Sequence, residues 1–259
     1  MRPVVRNLAG LAAFLGLWEC AARSGLVPAT DVPPASVVLG RTVEMLGTEP
    51  FLRDVVATVL ASALALGIAA AGAVPLGLVL GSLPRVRSAT MALVEFLRPI
   101  PSVALIPLVL VAIGGGPEAK ITLAVYAAVW PILYNTIYAF DEIDPLLLDT
   151  ARSSGAGRIA TLVTVALPHS APFVFTGIRI SAAIGLIVVV STEFIAGADV
   201  GIGSFVLEAA AGAGRMDLVL AGTLVAGALG YLANDGLERL GARLFRWHAA
   251  TGTDSQEAV

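Results

Sequence analysis

Charge is what this sequence has least of. Only 14% of its residues are Asp, Glu, Lys or Arg, against roughly a quarter in a water-soluble domain, and that is too few to cover a surface facing water on all sides. One cysteine, Cys20, cannot close an internal disulfide, and with two histidines, His169 and His248, it supplies no ligand cluster for zinc. The single lysine, Lys120, is followed by Ile121. No phosphate loop of the form Gly, four residues, Gly-Lys-Ser/Thr therefore exists, and the chain cannot hydrolyse ATP by that chemistry. Sixteen basic against nineteen acidic residues leave a net charge of −3, which gives no field for gripping nucleic acid phosphates. An intramembrane enzyme is a disfavoured reading, because it lacks a plausible paired acid, metal cluster or nucleophile with its base.

What is present is apolar: 57% of the 259 residues are hydrophobic. Val55 to Leu83 carries no charge over 29 residues, and Ile121 to Phe140 none over 20. About 20 apolar residues, each rising about 1.5 Å, cross a hydrocarbon core about 30 Å thick. The same rule gives six approximate spans, 7–26, 55–83, 88–113, 118–140, 171–196 and 217–239, within one all-α polytopic membrane domain covering 1–259. Arg2 and Arg6 before the first apolar run also suit a signal peptide. Trp18 and Glu19 stand where small residues would be needed for cleavage, so an uncleaved anchor is expected.

Basic residues near the span ends set the orientation. With the N-terminus inside, Arg2, Arg6, Arg85, Arg87, Arg152, Arg158, Arg239, Arg243 and Arg246 are cytoplasmic, whereas Arg23, Arg41, Arg53, Lys120 and Arg215 lie outside. On the outer side, Pro33-Pro34 opens a short helix over 36–46, and Gly114-Gly115-Gly116-Pro117 is a tight turn. Trp18, Trp130 and Trp247 are expected at interfaces or in packing. Pro75, Pro107 and Pro131 fall inside spans and are expected to kink them. His169 is expected to be a solvated residue of the inner surface.

Four charges lie within the later spans, Glu95, Arg98, Arg179 and Glu193, and charges in lipid are functional candidates because they are costly there. Arg98 and Arg179 reach comparable depths, roughly 12 to 15 Å at about 1.5 Å per residue. Two readings stand. Either the arginines are satisfied structurally, by Glu95 one turn away, by carbonyls or by a neighbouring helix, or they shape a solute path.

Between the fourth and fifth spans runs a loop over 141–168. Asp144 is a good N-cap, Pro145 suits the first helical position, and Gly155 suits a left-handed helix end. A second helix is expected over 156–166, ending before Pro168, with an apolar face of Ile159, Leu162, Val163 and Ala166. An amphipathic pair of helices joined by a small-residue turn is either an ordinary interfacial loop or a ledge on which another protein can seat.

The loop resembles the signature of permease subunits of binding-protein-dependent ABC importers, Glu-Ala-Ala, three residues, Gly, nine residues, Ile, one residue, Leu-Pro. Here that pattern falls on Asp149, Thr150, Ala151, Gly155, Val165, Leu167 and Pro168. Asp149 shortens the acid, Thr150 enlarges a small contact, and Val165 replaces Ile. Further stretches make the chain similar, over nearly its whole length, to the nitrate, sulfonate, taurine and bicarbonate permease group. They are Leu17-Trp18-Glu19, Pro33-Pro34-Ala35-Ser36, Pro75-Leu76-Gly77, Arg98-Pro99-Ile100-Pro101 with Ala104-Leu105-Ile106-Pro107, Pro131-Ile132-Leu133-Tyr134-Asn135-Thr136, and Thr176-Gly177-Ile178-Arg179.

The resemblance implies six spans with cytoplasmic termini in a bacterial inner membrane, and a dimeric membrane core, a homodimer being expected. It implies an ATP-binding cassette ATPase pair that binds ATP and magnesium in place of this chain, which itself needs no cofactor. It also implies an extracytoplasmic binding protein that delivers a small solute. The competing reading is an ATP-independent secondary transporter or channel, which should show midplane coupling acids or repeated halves. The sequence shows neither.

Overall fold

The computed structural model of the protein describes residues 2–25, 28, 30–212 and 214–246; Trp247 and His248 lie outside them. Every regular element among the described residues is helical. In chain order these are α1 (Arg2–Arg23), α2 (Ala35–Leu46), α3 (Glu49–Ser82), α4 (Pro84–Leu97), α5 (Ile106–Ile113), α6 (Pro117–Asp141), α7 (Pro145–Ser153), α8 (Arg158–Thr161), α9 (Leu167–Ala196), α10 (Ile202–Ala211) and α11 (Met216–Leu244). A 3-10 turn, Ser102–Leu105, precedes α5, and a π-helical turn, Leu162–Ala166, joins α8 to α9.

Among the described residues, Glu49–Ser82, Pro117–Asp141, Arg158–Ala196 and Met216–Leu244 are each long and apolar enough to cross a membrane. Pro84–Leu97 with Ser102–Ile113 is a fifth crossing if this pair, bent by 76°, is one span. α1, with Arg6, Glu19 and Arg23 along its 22 residues, is not in this set. Four of the six expected spans thus meet the test of length and composition, and a fifth does if the bent pair is one span.

The chain divides into two compact units, Met1–Val59 with Val190–Leu229, and Leu60–Val189 with Gly230–Val259. In the first, Val38 and Met45 of α2, Phe51 of α3, Ile202 of α10, and Ala221 and Val225 of α11 form a buried apolar core. Phe51 meets Phe205 edge-on, ring centroids 4.9 Å apart. α2 follows two prolines, and its N-cap Pro34 has no side chain able to accept a hydrogen bond. Glu19 of α1 supplies the acceptor instead, taking the Ser36 backbone N–H at 3.0 Å and its hydroxyl at 2.9 Å, while Trp18 Nε1 donates to the Pro33 carbonyl at 3.1 Å. The acid that interrupts the first apolar run therefore caps the next helix.

In the second unit, Ala69, Ala73 and Leu80 of α3, Val94 of α4, and Ala128, Ile132, Leu133 and Ile137 of α6 form the buried core. Alanines and glycines let these helices approach closely, as is usual where dispersion rather than water drives packing. A Cβ on Gly77 would stand 2.6 Å from Cβ of Thr136, and one on Gly177 would stand 2.9 Å from Cα of Ile132 and from the Pro131 carbonyl oxygen. Between α9 and α6, Ser181 also donates to the Ala128 carbonyl at 2.6 Å. Arg87 grips Asp141 with two hydrogen bonds of 2.7 and 2.8 Å, tying the start of α4 to the end of α6.

Two proline and boundary expectations change, at Pro107 and before Pro168. α3 and α6 continue through Pro75 and Pro131. Pro107 does not kink a span but sits in the first turn of α5, where a missing N–H costs nothing; the sharp bend lies upstream at Arg98-Pro99-Ile100-Pro101. The helix expected over 156–166 does not end before Pro168: the helical run continues from Arg158 to Ala196. A proline removes one ladder hydrogen bond and crowds the carbonyl four residues back. Here that carbonyl belongs to Thr164, inside the wider π turn, which gives the ring room without breaking the helix.

The Gly177 contact gives a direct test. Gly177→Ala should lower stability by about 1–3 kcal/mol through overpacking against α6. Gly227→Ala, whose added Cβ meets nothing within 4 Å, should be neutral or slightly stabilising. Thermal unfolding of the two variants in detergent separates them.

Candidate functional site

The loop over 141–168 is built largely as its residues dictate. The Asp144 carboxylate accepts the Leu146 N–H at 2.8 Å and caps α7, with Pro145 in the first turn. Gly155 takes φ +78°, its N–H reaches the Arg152 carbonyl and that of Ala156 the Ala151 carbonyl, each at 3.0 Å. This paired closure ends the helix in a left-handed turn that suits glycine.

On α7, Asp149 pairs with Arg152 at 3.0 Å, both exposed, and the Thr150 hydroxyl is turned onto the Leu146 carbonyl at 2.7 Å. Ala151 is half-buried. Val165 lies in the π turn, and Leu167 and Pro168 begin α9, so the signature residues split between α7 with its turn and the entry to α9. α7 packs on both α8 and the π turn, which reunites the two halves. Leu146 is 69% exposed and Ile159 80% exposed, so the ledge presents apolar side chains beside charged ones. His169 is not solvated as expected. Its ring lies against Phe173, and Nε2 is shielded from solvent with no hydrogen-bond partner among the described residues.

The four charges of the spans fare differently. Glu193 is 0% exposed. Thr58 Oγ1 donates to its two oxygens at 3.0 and 2.9 Å, and the Gly203 N–H donates to it at 3.1 Å. The Ile202 N–H donates to Thr58 Oγ1 at 3.0 Å and the Gly201 N–H to Asp54 at 3.0 Å. Three N–H groups at the start of α10 are therefore satisfied by side chains of α3 and α9, with an acid at the positive end of the helix. Glu193 is sealed into this joint.

Arg179 is paired: Nε donates to Asn234 Oδ1 at 3.0 Å, and its guanidinium lies 3.4 Å from Glu238. Asn234 and Glu238 are four residues apart on one face of α11. That spacing was available in the sequence, but nothing there said that α11 lies against α9.

Arg98 does not pair with Glu95; among the described residues no carboxylate pairs with it. Its guanidinium carbon lies 4.4 Å from the centroid of the Tyr134 ring. It stands at the end of α4, where the helix gives way to the bend. There Tyr126 Oη donates to the Leu97 carbonyl at 2.6 Å, and the Tyr126 ring meets Trp130 edge-on at 5.6 Å. Trp130 Nε1 and Tyr134 Oη are shielded polar atoms without a hydrogen-bond partner among the described residues. Tyr126, Trp130 and Tyr134 repeat every four residues, an aromatic row along one face of α6.

This architecture matches a solved structure of the MetNI methionine ABC transporter in an inward-facing conformation at a TM-score of 0.66 and 19% identity. The match covers 76% of this chain and 98% of that one, and fixes the fold as that of a type I importer permease. The family described as binding-protein-dependent transport system inner membrane component matches residues 73–243. The chain belongs to that family.

The permease is 31% identical over 252 residues to the taurine transport system permease protein TauC of Escherichia coli, covering 95% of this chain and 91% of that one. It is also 31% identical to the bicarbonate transport system permease protein CmpB of Synechococcus elongatus, covering 94% and 89%. With the nitrate import permease protein NrtB of Leptolyngbya laminosa it shares 29% identity over 64% of this chain and 59% of that one. It is a membrane-embedded transport subunit, and its family works with an ATPase and a binding protein.

The joint at α10 sets the second test. Thr58→Val keeps the shape of the side chain but leaves the Ile202 N–H unpaired, and should cost about 1–3 kcal/mol. Thr58→Ser keeps the hydroxyl and should recover most of that loss in thermal unfolding.

Proposed function

We propose that the permease forms the translocation path of an ATP-driven importer for small oxyanions of the sulfonate, nitrate, taurine or bicarbonate kind, delivered by an extracytoplasmic binding protein. Two copies pair in the inner membrane with both termini cytoplasmic. An ATP-binding cassette dimer seats on the ledge built by Asp149, Thr150, Ala151, Gly155, Val165, Leu167 and Pro168. ATP and magnesium are held by that partner.

The observation that carries the reading is the ledge itself: a capped nine-residue helix, closed by a glycine at φ +78°, with apolar side chains exposed beside an ion pair. Such a surface suits a protein partner that buries the leucines and leaves the Asp149–Arg152 pair at its rim. Closure of the nucleotide-bound ATPases would move the two ledges and rock the permease pair between outward and inward cavities. The oxyanion class is supported by the relatives named above and by Arg98, which among the four charges of the spans stands at a break in a helix and pairs with no carboxylate of the described residues.

Gly155→Leu tests this reading. The larger side chain is strained at φ +78°, and should leave membrane insertion intact while abolishing copurification of the ATPase and ATP-dependent uptake. Normal uptake by this variant, or uptake by the permease with no ATPase present, would overturn the reading.

A further inference from the structure

At the bend between α4 and α5, hydrogen-bond donors outnumber acceptors. A guanidinium carries five N–H donors and accepts nothing, an indole Nε1 donates only, and a phenol Oη can both donate and accept. Tyr134 Oη is thus the one side-chain acceptor among Arg98, Trp130 and Tyr134, and it is not used: the indole and phenol atoms have no hydrogen-bond partner among the described residues, while Arg98 rests on the Tyr134 ring. Trp130 and Tyr134 are one helical turn apart on α6, and Arg98 reaches that face from the bend. The neighbouring phenol, Tyr126, is spent on the Leu97 carbonyl, which holds the bend against α6.

We infer that Arg98, Trp130 and Tyr134 form the contact site for the oxyanion of the solute, with the arginine parked on the Tyr134 ring when the site is empty. The inference rests on the oxyanion-importer reading. An aromatic face holds a guanidinium loosely, whereas a planar or tetrahedral oxyanion takes its forked N–H groups two at a time. Arrival of the solute therefore lifts Arg98 from the ring and supplies the acceptor that the phenol and indole lack. Because both of these atoms are shielded in the present conformation, the solute reaches them only as the bend opens. The stack thus serves as a latch that the right solute releases. Arg179, with Asn234 and Glu238 already on it, takes no part.

Proteoliposomes holding the permease with its ATPase and loaded binding protein, and taurine, nitrate and bicarbonate as probes, give the test. Tyr134→Phe and Trp130→Phe keep the rings and remove only the O–H or the N–H, and Arg98→Lys keeps the charge and removes the fork. Uptake of whichever probe the wild type carries should fall about tenfold in Arg98→Lys and about threefold in each aromatic variant, with melting temperatures equal to wild type. Wild-type uptake in all three variants overturns the inference and leaves the importer reading standing. A fall in uptake matched by a loss of melting temperature assigns the residues to packing and also overturns it. A wild type that carries none of the three probes overturns both.

Discussion

A backbone N–H or carbonyl that has left its helical ladder must find another partner wherever water is excluded. Among the described residues this requirement shapes several places where a helix begins or ends. α10 starts among apolar side chains, and its first N–H groups are met by Asp54, Thr58 and Glu193. α2 starts after two prolines and is met by Glu19. α4 stops at Arg98, and the exposed Leu97 carbonyl is met by Tyr126. Polar side chains that look anomalous in an apolar chain are thereby accounted for: most of them complete a backbone rather than face a solute. What remains after this accounting is small, and Arg98 with the two unsatisfied atoms of α6 stands out because it completes nothing.

The same requirement explains how much could be read from the residues alone. Long charge-free runs predict helices of spanning length because period and composition act locally, and α3, α6, α9 and α11 follow. The Asp144 cap, Pro145 and Gly155 are likewise local signals, and α7 obeys them. Thr58 as the partner of Glu193, and Asn234 as that of Arg179, were not legible, because they come from helices more than 50 residues away. α10 was not legible, since its ten residues, Ser204 and Glu208 among them, are too few to span and carry no cap of their own; its capping groups lie in α3 and α9. Pro168 misled for a related reason. A proline ends a helix only if the ladder before it is tight, and the π turn at Leu162–Ala166 is not.

The stretches that carry the family resemblance acquire a common meaning once they are placed in space. Trp18 and Glu19 meet Pro33 and Ser36. Gly77 meets Thr136, and Gly177 meets Pro131, Ile132 and Asn135. Arg98 meets Tyr134. Each stretch is one half of a contact whose other half is another such stretch. They specify how closely α3, α6 and α9 cross and how α1 holds α2, and the fold they share with a methionine permease at 19% identity shows how few positions such a specification needs. Only the last of these contacts joins groups that helix packing does not require.

Under the proposed reading, the ledge and the donor cluster can act together without touching, through the helices packed between them. α7 leans on α8 and on the π turn that opens α9, and α9 is anchored to α6 by Gly177 and Ser181 and to α11 by Arg179. α6 in turn carries Trp130 and Tyr134. A displacement received at α7 has no soft segment in which to dissipate except the π turn, where the ladder is already widened. Once α9 moves, α6 must follow, since a glycine contact at van der Waals distance leaves no room for sliding apart and back into a second register without passing through a void. The row on α6 then shifts against the bend that holds Arg98. Two helices in hard contact and one arginine held only by an aromatic face are enough, under the proposed reading, to convert motion at the cytoplasmic ledge into a change in donor geometry around the solute.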